Sequence, residues 1–470
     1  MNAQKMRGDA SIARANELTQ SGANMIRHHR HILANILLFV STLATAAPNV
    51  AEQRREDIAQ FRTEFFAKDR AYSANARQEA ERRLVELERA AADMKPAAFD
   101  LEIARIVAVA DNGHTSSVEG SRSRRYDRVE LRLTPFGEDF YVLRAQEKYS
   151  DLVGAKLIAI DGVTIDKLRP RYRALKGGVA RWRDRGAAYF LESPEQLRAD
   201  GVVTEPGELS YRFMLRDGTL VERKLTATAG GTARAPGNAA RWMNPEFADI
   251  EGNTWRSLLT VDNVPWSLQE PTKAFRWRMD VAQNAIIVEM RQTSNAKEEK
   301  LADFFRAIEA AIETHKPANL VFDIRFNGGG DLTTTRDVAE RLPTLIPGRI
   351  FILTSPWTFS AAISTAGYLK QAAPTRTTVV GEAVGDMLNF FAEGKTVTLK
   401  HSREVVLYAA ERHDYQNGCR AFKDCHGQVV SRPIAVASLD PDIAAAWTIE
   451  AYRAGRDPAM EAVATALKKK

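Results

Sequence analysis

Cysteine is nearly absent from this chain of 470 residues. The two that occur, Cys419 and Cys425, stand close together in GCRAFKDC, with His413 and His426 on either side. A scaffold of several disulfides is excluded, and no C-x-x-C pair supplies a zinc framework. In an exported chain the pair reads as a disulfide closing a small loop, with two free thiols or a Cys/His metal site as the alternatives. Neighbouring Cys425 and His426 are poorly placed to ligate one tetrahedral ion. Also missing is an apolar run of the ~20 residues that a membrane span requires. The longest, ILANILLFVSTLATAA, is broken at Asn35. It follows the basic stretch RHHRH and ends in an A-x-A site at Ala44, Thr45 and Ala46. Residues 1–46 therefore read as an export signal with an N-terminal extension, starting at Met1 or Met25. An uncleaved anchor and a buried helix are the other readings. Losing 1–46 removes five basic and two acidic residues and lowers the net charge from +6 to +3. That balance leaves no electrostatic footprint for nucleic acid. The expected location is exported, periplasmic or secreted, with no stable membrane span once the signal is cut.

Two phosphate loops are missing as well. LVFDIRFNGGGD (320–331) ends a strand-like run in three glycines, but no Lys follows Gly330 at the spacing of a nucleotide-binding loop. A dinucleotide fingerprint would need a further glycine near Thr333. There is no G-x-S-x-G elbow around Ser360.

Helical spacing of Ile58, Phe61, Phe65, Leu84 and Leu87 predicts a helical segment over 47–110, its stripe serving as core. Residues 111–228 carry a polar turn, DNGHT, and then alternating strands. These end in the hairpin GELSYRFMLRDGTLVERKLTA with Asp217-Gly218 at its turn. Residues 229–278 read as a linker or irregular segment. From 279 to 470 strands alternate with helices, which predicts an α/β core with parallel strands.

Ser360, at a loop-to-helix boundary, is either an exposed nucleophile or an N-cap. The Ala361 N–H behind it enters a helix N-terminus, where it can stabilise an oxyanion. Five histidines follow residue 46. His315 reads as a solvated helix end and His401 as an exposed strand residue. His413 and His426 belong to the cysteine loop, which leaves His114 as the candidate base.

Four segments, in order, resemble the S41 serine peptidases: the tail-specific, tricorn-core and retinoid-binding-module group. They are DNGHT (111–115), DIRFNGGGD (323–331), TFSAA (358–362) and VVGEAVGDMLNFF (379–391). Weaker likeness continues through LDPDI (439–443) and AYRAGRDPAMEAV (451–463), and LVGAKLIAIDGVTI (152–165) resembles the group's PDZ-like insert. The resemblance implies an α/β fold: a ClpP/crotonase-like β/α core with a PDZ-like β-rich domain and an N-terminal helical segment. It implies a peptidase without a cofactor or metal, acting on peptides or proteins, C-terminal tails among them. Ser360 matches the nucleophile and His114 the base of the histidine-using branch. The lysine-using branch is disfavoured, because Asp386, Met387 and Leu388 stand where its lysine would be and none follows until Lys395. The Gly328, Gly329 and Ala361 amides match the oxyanion hole, and Arg325 and Asn327 are expected to hold the loop. Glu382 is taken as the orienting acid, with Glu411, Asp111 and Asp440 as alternatives. GEAVGDM departs from the usual V-G-E-x-T-G-G, and Gly113 precedes His114 where the tricorn-like branch has serine. A non-catalytic binding protein on the same scaffold, or an esterase, would fit the same segments.

Overall fold

The structure, a computed structural model, describes residues 49–203, 208–230, 239–247 and 254–468. The expected export signal over 1–46 lies outside these residues.

Helices Val50–Gln60, Ala74–Ala90 and Pro96–Ala108 open the described chain, the first running on through a π-helical turn at Phe61–Phe66. Asn49 and Ser73 cap the first two by accepting from the backbone N–H groups of Glu52 and Ala76. The apolar stripe buries Ile58, Phe61, Phe65, Leu84 and Leu87 against Phe99, Ile103, Val397 and Val406.

An antiparallel sheet follows. Its strand order is Trp255–Ser257, Asp139–Gln146, Lys156–Ile160, Ser210–Met214 and Leu220–Lys224. Leu131–Phe136 also pairs with Asp139–Gln146. The last two strands form the expected hairpin, with Gly218 at φ +86° in its turn.

The second large sheet has six strands. Phe275–Asp280 runs antiparallel to Ala285–Met290. Then Asn319–Asp323, Ile350–Thr354, Thr377–Gly381 and Ile443–Ala444 add in parallel. Side chains alternate between its faces. Ile286, Val288, Leu320, Phe322, Ile350 and Ile352 pack under helices Leu301–His315, Arg336–Leu345 and Ala361–Ala372. Ile287, Val321, Phe351 and Val380 pack on helix Pro458–Lys468. Burial on both faces explains why these strands read as continuous apolar runs.

Two expectations change. The 229–278 segment is not merely a linker: it supplies Trp255–Ser257 to one sheet and the edge strand Phe275–Asp280 to the other. Arginines hid the second strand, because Arg276 is buried in an ion pair with Glu289 directly across the register. The turn bearing His114 also belongs to the C-terminal part rather than to the antiparallel sheet. Asn112 exchanges two 2.9 Å hydrogen bonds with the Phe391 backbone, and Ser116–Ser117 pairs with Val405–Leu407.

Candidate active site

Ser360 sits between strand Ile350–Thr354 and helix Ala361–Ala372, at φ +55°, ψ −128°. A non-glycine residue held there costs about 1–3 kcal/mol and persists only where its surroundings over-determine it. Those surroundings are hydrogen bonds to the glycine-loop segment. Phe359 N–H donates to Asn327 O (3.0 Å), and the Thr358 hydroxyl donates to Ile324 O (2.9 Å). The Ser360 side chain makes no capping bond, so its hydroxyl is not spent on the helix end.

The glycines serve different ends. Gly329, at φ +103°, lies so close that a Cβ would come 2.6 Å from Ser360 Cβ and 3.1 Å from Ala361 N. Gly330 lets the chain bridge to Thr293, whose carbonyl a Cβ there would strike at 2.7 Å. Gly328 faces open space. The oxyanion donors expected at Gly328, Gly329 and Ala361 must be amended. Gly329 N–H is already taken by Asn327 Oδ1 at 2.9 Å. Gly328 and Ala361 N–H have no acceptor among the described residues. Asn327 thus holds the loop.

Arg325 holds it from below. It is fully buried, bonded through Nε and Nη2 to Asp323 (3.0 and 2.6 Å) and through Nη1 and Nη2 to Asp457 (2.7 and 2.9 Å). Burial would weaken its charge, but the two carboxylates outweigh that and keep the guanidinium charged.

His114 Nδ1 lies 3.1 Å from Asp386 Oδ2, whose side chain is fully buried. With the proton on Nδ1, Nε2 carries the lone pair. Nε2 is buried and has no hydrogen-bond partner. The ring is stacked between Phe359, the neighbour of Ser360 (centroids 4.3 Å), and Phe390 (4.9 Å). The stack continues from Phe359 to Trp182 (3.9 Å), from Phe390 to His413 (5.1 Å), and from His413 to His426 (5.3 Å).

The acid at His114 is therefore Asp386, not Glu382. Glu382 accepts from Arg181 at 3.2 Å. The alternatives are engaged elsewhere: Glu411 with His426 and Asp111 with Arg183, while Asp440 is exposed. Both departures from the S41 pattern are linked here, because a Cβ at Gly113 would come 2.7 Å from Asp386 Oδ2. A serine before His114 would collide with Asp386, the acid that stands at the last glycine of the usual T-G-G.

Cys419 and Cys425 form a disulfide. Among the described residues no group of His, Cys, Asp and Glu could hold a metal ion. His413 Nδ1 lies 2.9 Å from the Tyr415 hydroxyl, and its Nε2 lies 3.2 Å from Glu393. His401, expected on an exposed strand, sits in a turn 2.7 Å from Glu56. His315 is an exposed helix end.

A cavity of about 460 Å³ opens beside the glycines, walled by Gly328, Gly329, Phe326, Trp357 and Arg185. No helix among the described residues is long and apolar enough to cross a membrane.

No protein-family profile and no curated protein matches the chain. Solved structures do. Mature CPAF complexed with lactacystin superimposes with a TM-score of 0.54 at 12% identity, over 89% of this chain and 98% of that one. The photosystem II D1 C-terminal processing protease gives 0.35 at 14% identity, over 85% and 93%. The tricorn protease gives 0.34 at 12% identity, over 90% and 37%. CPAF is an S41-type peptidase, and this chain is similar to mature CPAF in fold.

Proposed function

We propose that the protein is a serine peptidase of the S41 type that cuts peptide bonds at Ser360. The observation that carries this is one constellation: a strained serine with an uncommitted side chain, next to two open backbone amides and a histidine whose outer nitrogen is held by a buried acid. In this mechanism Ser360 Oγ attacks the carbonyl carbon and His114 Nε2 takes its proton. Asp386 fixes the tautomer and stabilises the imidazolium. Gly328 and Ala361 N–H receive the oxyanion, each donor contributing roughly 2.7–4 kcal/mol where such donors have been removed elsewhere. His114 then returns the proton to the leaving amine, and water resolves the acyl-enzyme by the same steps. His114 Nε2 makes no hydrogen bond to Ser360. Such bonds are commonly long without substrate and close on binding.

Export fits the disulfide, which persists in oxidising compartments. The antiparallel sheet ends in Leu220–Lys224, an edge strand with alternately exposed residues. That edge supports a PDZ-like role for the sheet, in which a substrate tail adds as a further strand. Hydrolysis of a fluorogenic peptide mixture tests the reading. Ser360→Ala is expected to abolish turnover, and turnover equal to the wild type would remove the assignment.

A further inference from the structure

The cavity beside Gly328 has four cations on its walls, Arg128, Lys176, Arg185 and Arg291. Three face acids: Arg128 pairs with Glu192, Lys176 with Glu119, and Arg291 with Glu289. Arg185 makes no ion pair and no hydrogen bond to the described protein, and its Nη1 is buried without a partner. It is held by two indole faces instead, Trp182 at 4.1 Å and Trp357 at 3.8 Å. This sandwich fixes the plane of the guanidinium and leaves its N–H edge for a ligand. Burial lowers the charge affinity of Arg185, to a pKa of about 10, with Glu119 only partly opposing it. A buried cation with no carboxylate bonded to it is costly, and the two indole faces and the more distant Glu119 offset that cost only in part.

The position ties this cation to the reaction. Trp182 stacks on Phe359, whose neighbour is Ser360, and Gly328, whose amide is open, borders the same cavity. A carbonyl bound at Gly328 would place the adjoining part of its chain at the cavity mouth.

We propose that Arg185 is a specificity residue that receives a carboxylate of the substrate close to the cut bond. The chemistry is a planar fork on a planar acceptor, a charge-assisted bidentate pair in a site shielded from water. The carboxylate comes either from an Asp or Glu side chain or from a chain terminus. The proposal rests on the peptidase reading for its place in the reaction, but its binding step can be measured without turnover.

The probes are fluorescein-labelled decapeptide pools with randomised flanks. One has a central Glu and an amidated end, one a central Gln and an amidated end, and one a central Gln and a free carboxyl end. They are titrated against the Ser360→Ala protein. One of the two acid-bearing pools is expected to bind about 10-fold or more tightly than the neutral pool, as a hydrogen bond between charged groups implies. Which one it is identifies the source. Arg185→Met in the same background is expected to erase the difference, and Arg185→Lys to restore part of it. Equal binding of the three pools, or no binding by any, overturns the proposal without relying on a variant that could fail to fold. A difference that survives Arg185→Met in a folded protein also overturns it. Cleavage of the pools by the wild-type protein is read separately by mass spectrometry. Absence of cutting with the carboxylate preference intact would remove the peptidase reading and leave the binding site standing.

Discussion

Asp386 Oδ2 lies 3.1 Å from His114 Nδ1, and the glycine before His114 is the residue that allows the approach. In the proposed mechanism this pairing supplies the acid that orients His114. It also turns an unusual stretch, GEAVGDM, into the source of the third member.

Asp386→Asn tests the pairing through the tautomer. An asparagine can offer N–H to Nδ1, which moves the proton to Nε2 and removes the base. The equivalent change in a well-studied triad costs on the order of 10⁴-fold in kcat, and a comparable loss is expected here, with the melting temperature little changed. Glu382→Gln should leave kcat near the wild-type value, since Glu382 faces Arg181. Kinetics of both variants on one peptide separate the two acids.

Gly329→Ala and Gly328→Ala should differ sharply. At 329 the new Cβ meets Ser360 Cβ at 2.6 Å in a left-handed backbone, so stability and turnover both fall. The backbone strain alone is about 1–3 kcal/mol. At 328 the Cβ meets nothing within 4 Å, and the protein should melt as the wild type does. Thermal denaturation of the pair checks this.

Opening the Cys419–Cys425 loop should destabilise the protein by about 2 kcal/mol, the loop-closure value for so short a ring. The strand Glu411–Asp414 next to it pairs with Asn389–Ala392, which carries Phe390 against His114. Cys419→Ser/Cys425→Ser should therefore lower the melting temperature and reduce turnover together. Unchanged turnover in the folded variant would detach the loop from the site.

Acid should weaken the fold through His413. Burial lowers its pKa below the ordinary 6.5, although Glu393 opposes this. The folded state then binds fewer protons than the unfolded one, so stability rises with pH across this range. The contribution is complete above about 6.5 and is lost as pH falls from there toward the depressed folded value. Tyr415, His426 and His114 also face this ring or its charge. His413→Gln should flatten melting temperature against pH below about 6.5.

Much of the architecture was legible because apolar period and turn chemistry agree along the chain. Val321 and Phe322 pack on opposite faces of a doubly covered sheet, and the run they belong to reads as a buried strand. Phe275–Asp280 was not legible, because its burial does not alternate and one of its buried residues, Arg276, is an arginine held by Glu289 across the register. At the site, Ser360, His114 and the glycines stood out as residue types at turns. Asp386 did not, since an acid is recognised as an orienter only by what it faces. The same holds for Gly329, whose amide looks available until the Asn327 side chain is seen bonded to it. Arg185 carries no sequence signal at all; only the absence of a partner in three dimensions marks it.

Reaction with a fluorophosphonate probes the central claim most directly, because only an activated serine attacks phosphorus at a useful rate. Intact-mass and peptide-mapping spectra of the treated protein should show one adduct, on Ser360. The adduct should be absent from Ser360→Ala and strongly slowed in His114→Ala and Asp386→Asn. No adduct on the wild-type protein, or labelling of Ser360 at an undiminished rate without His114, would contradict the account.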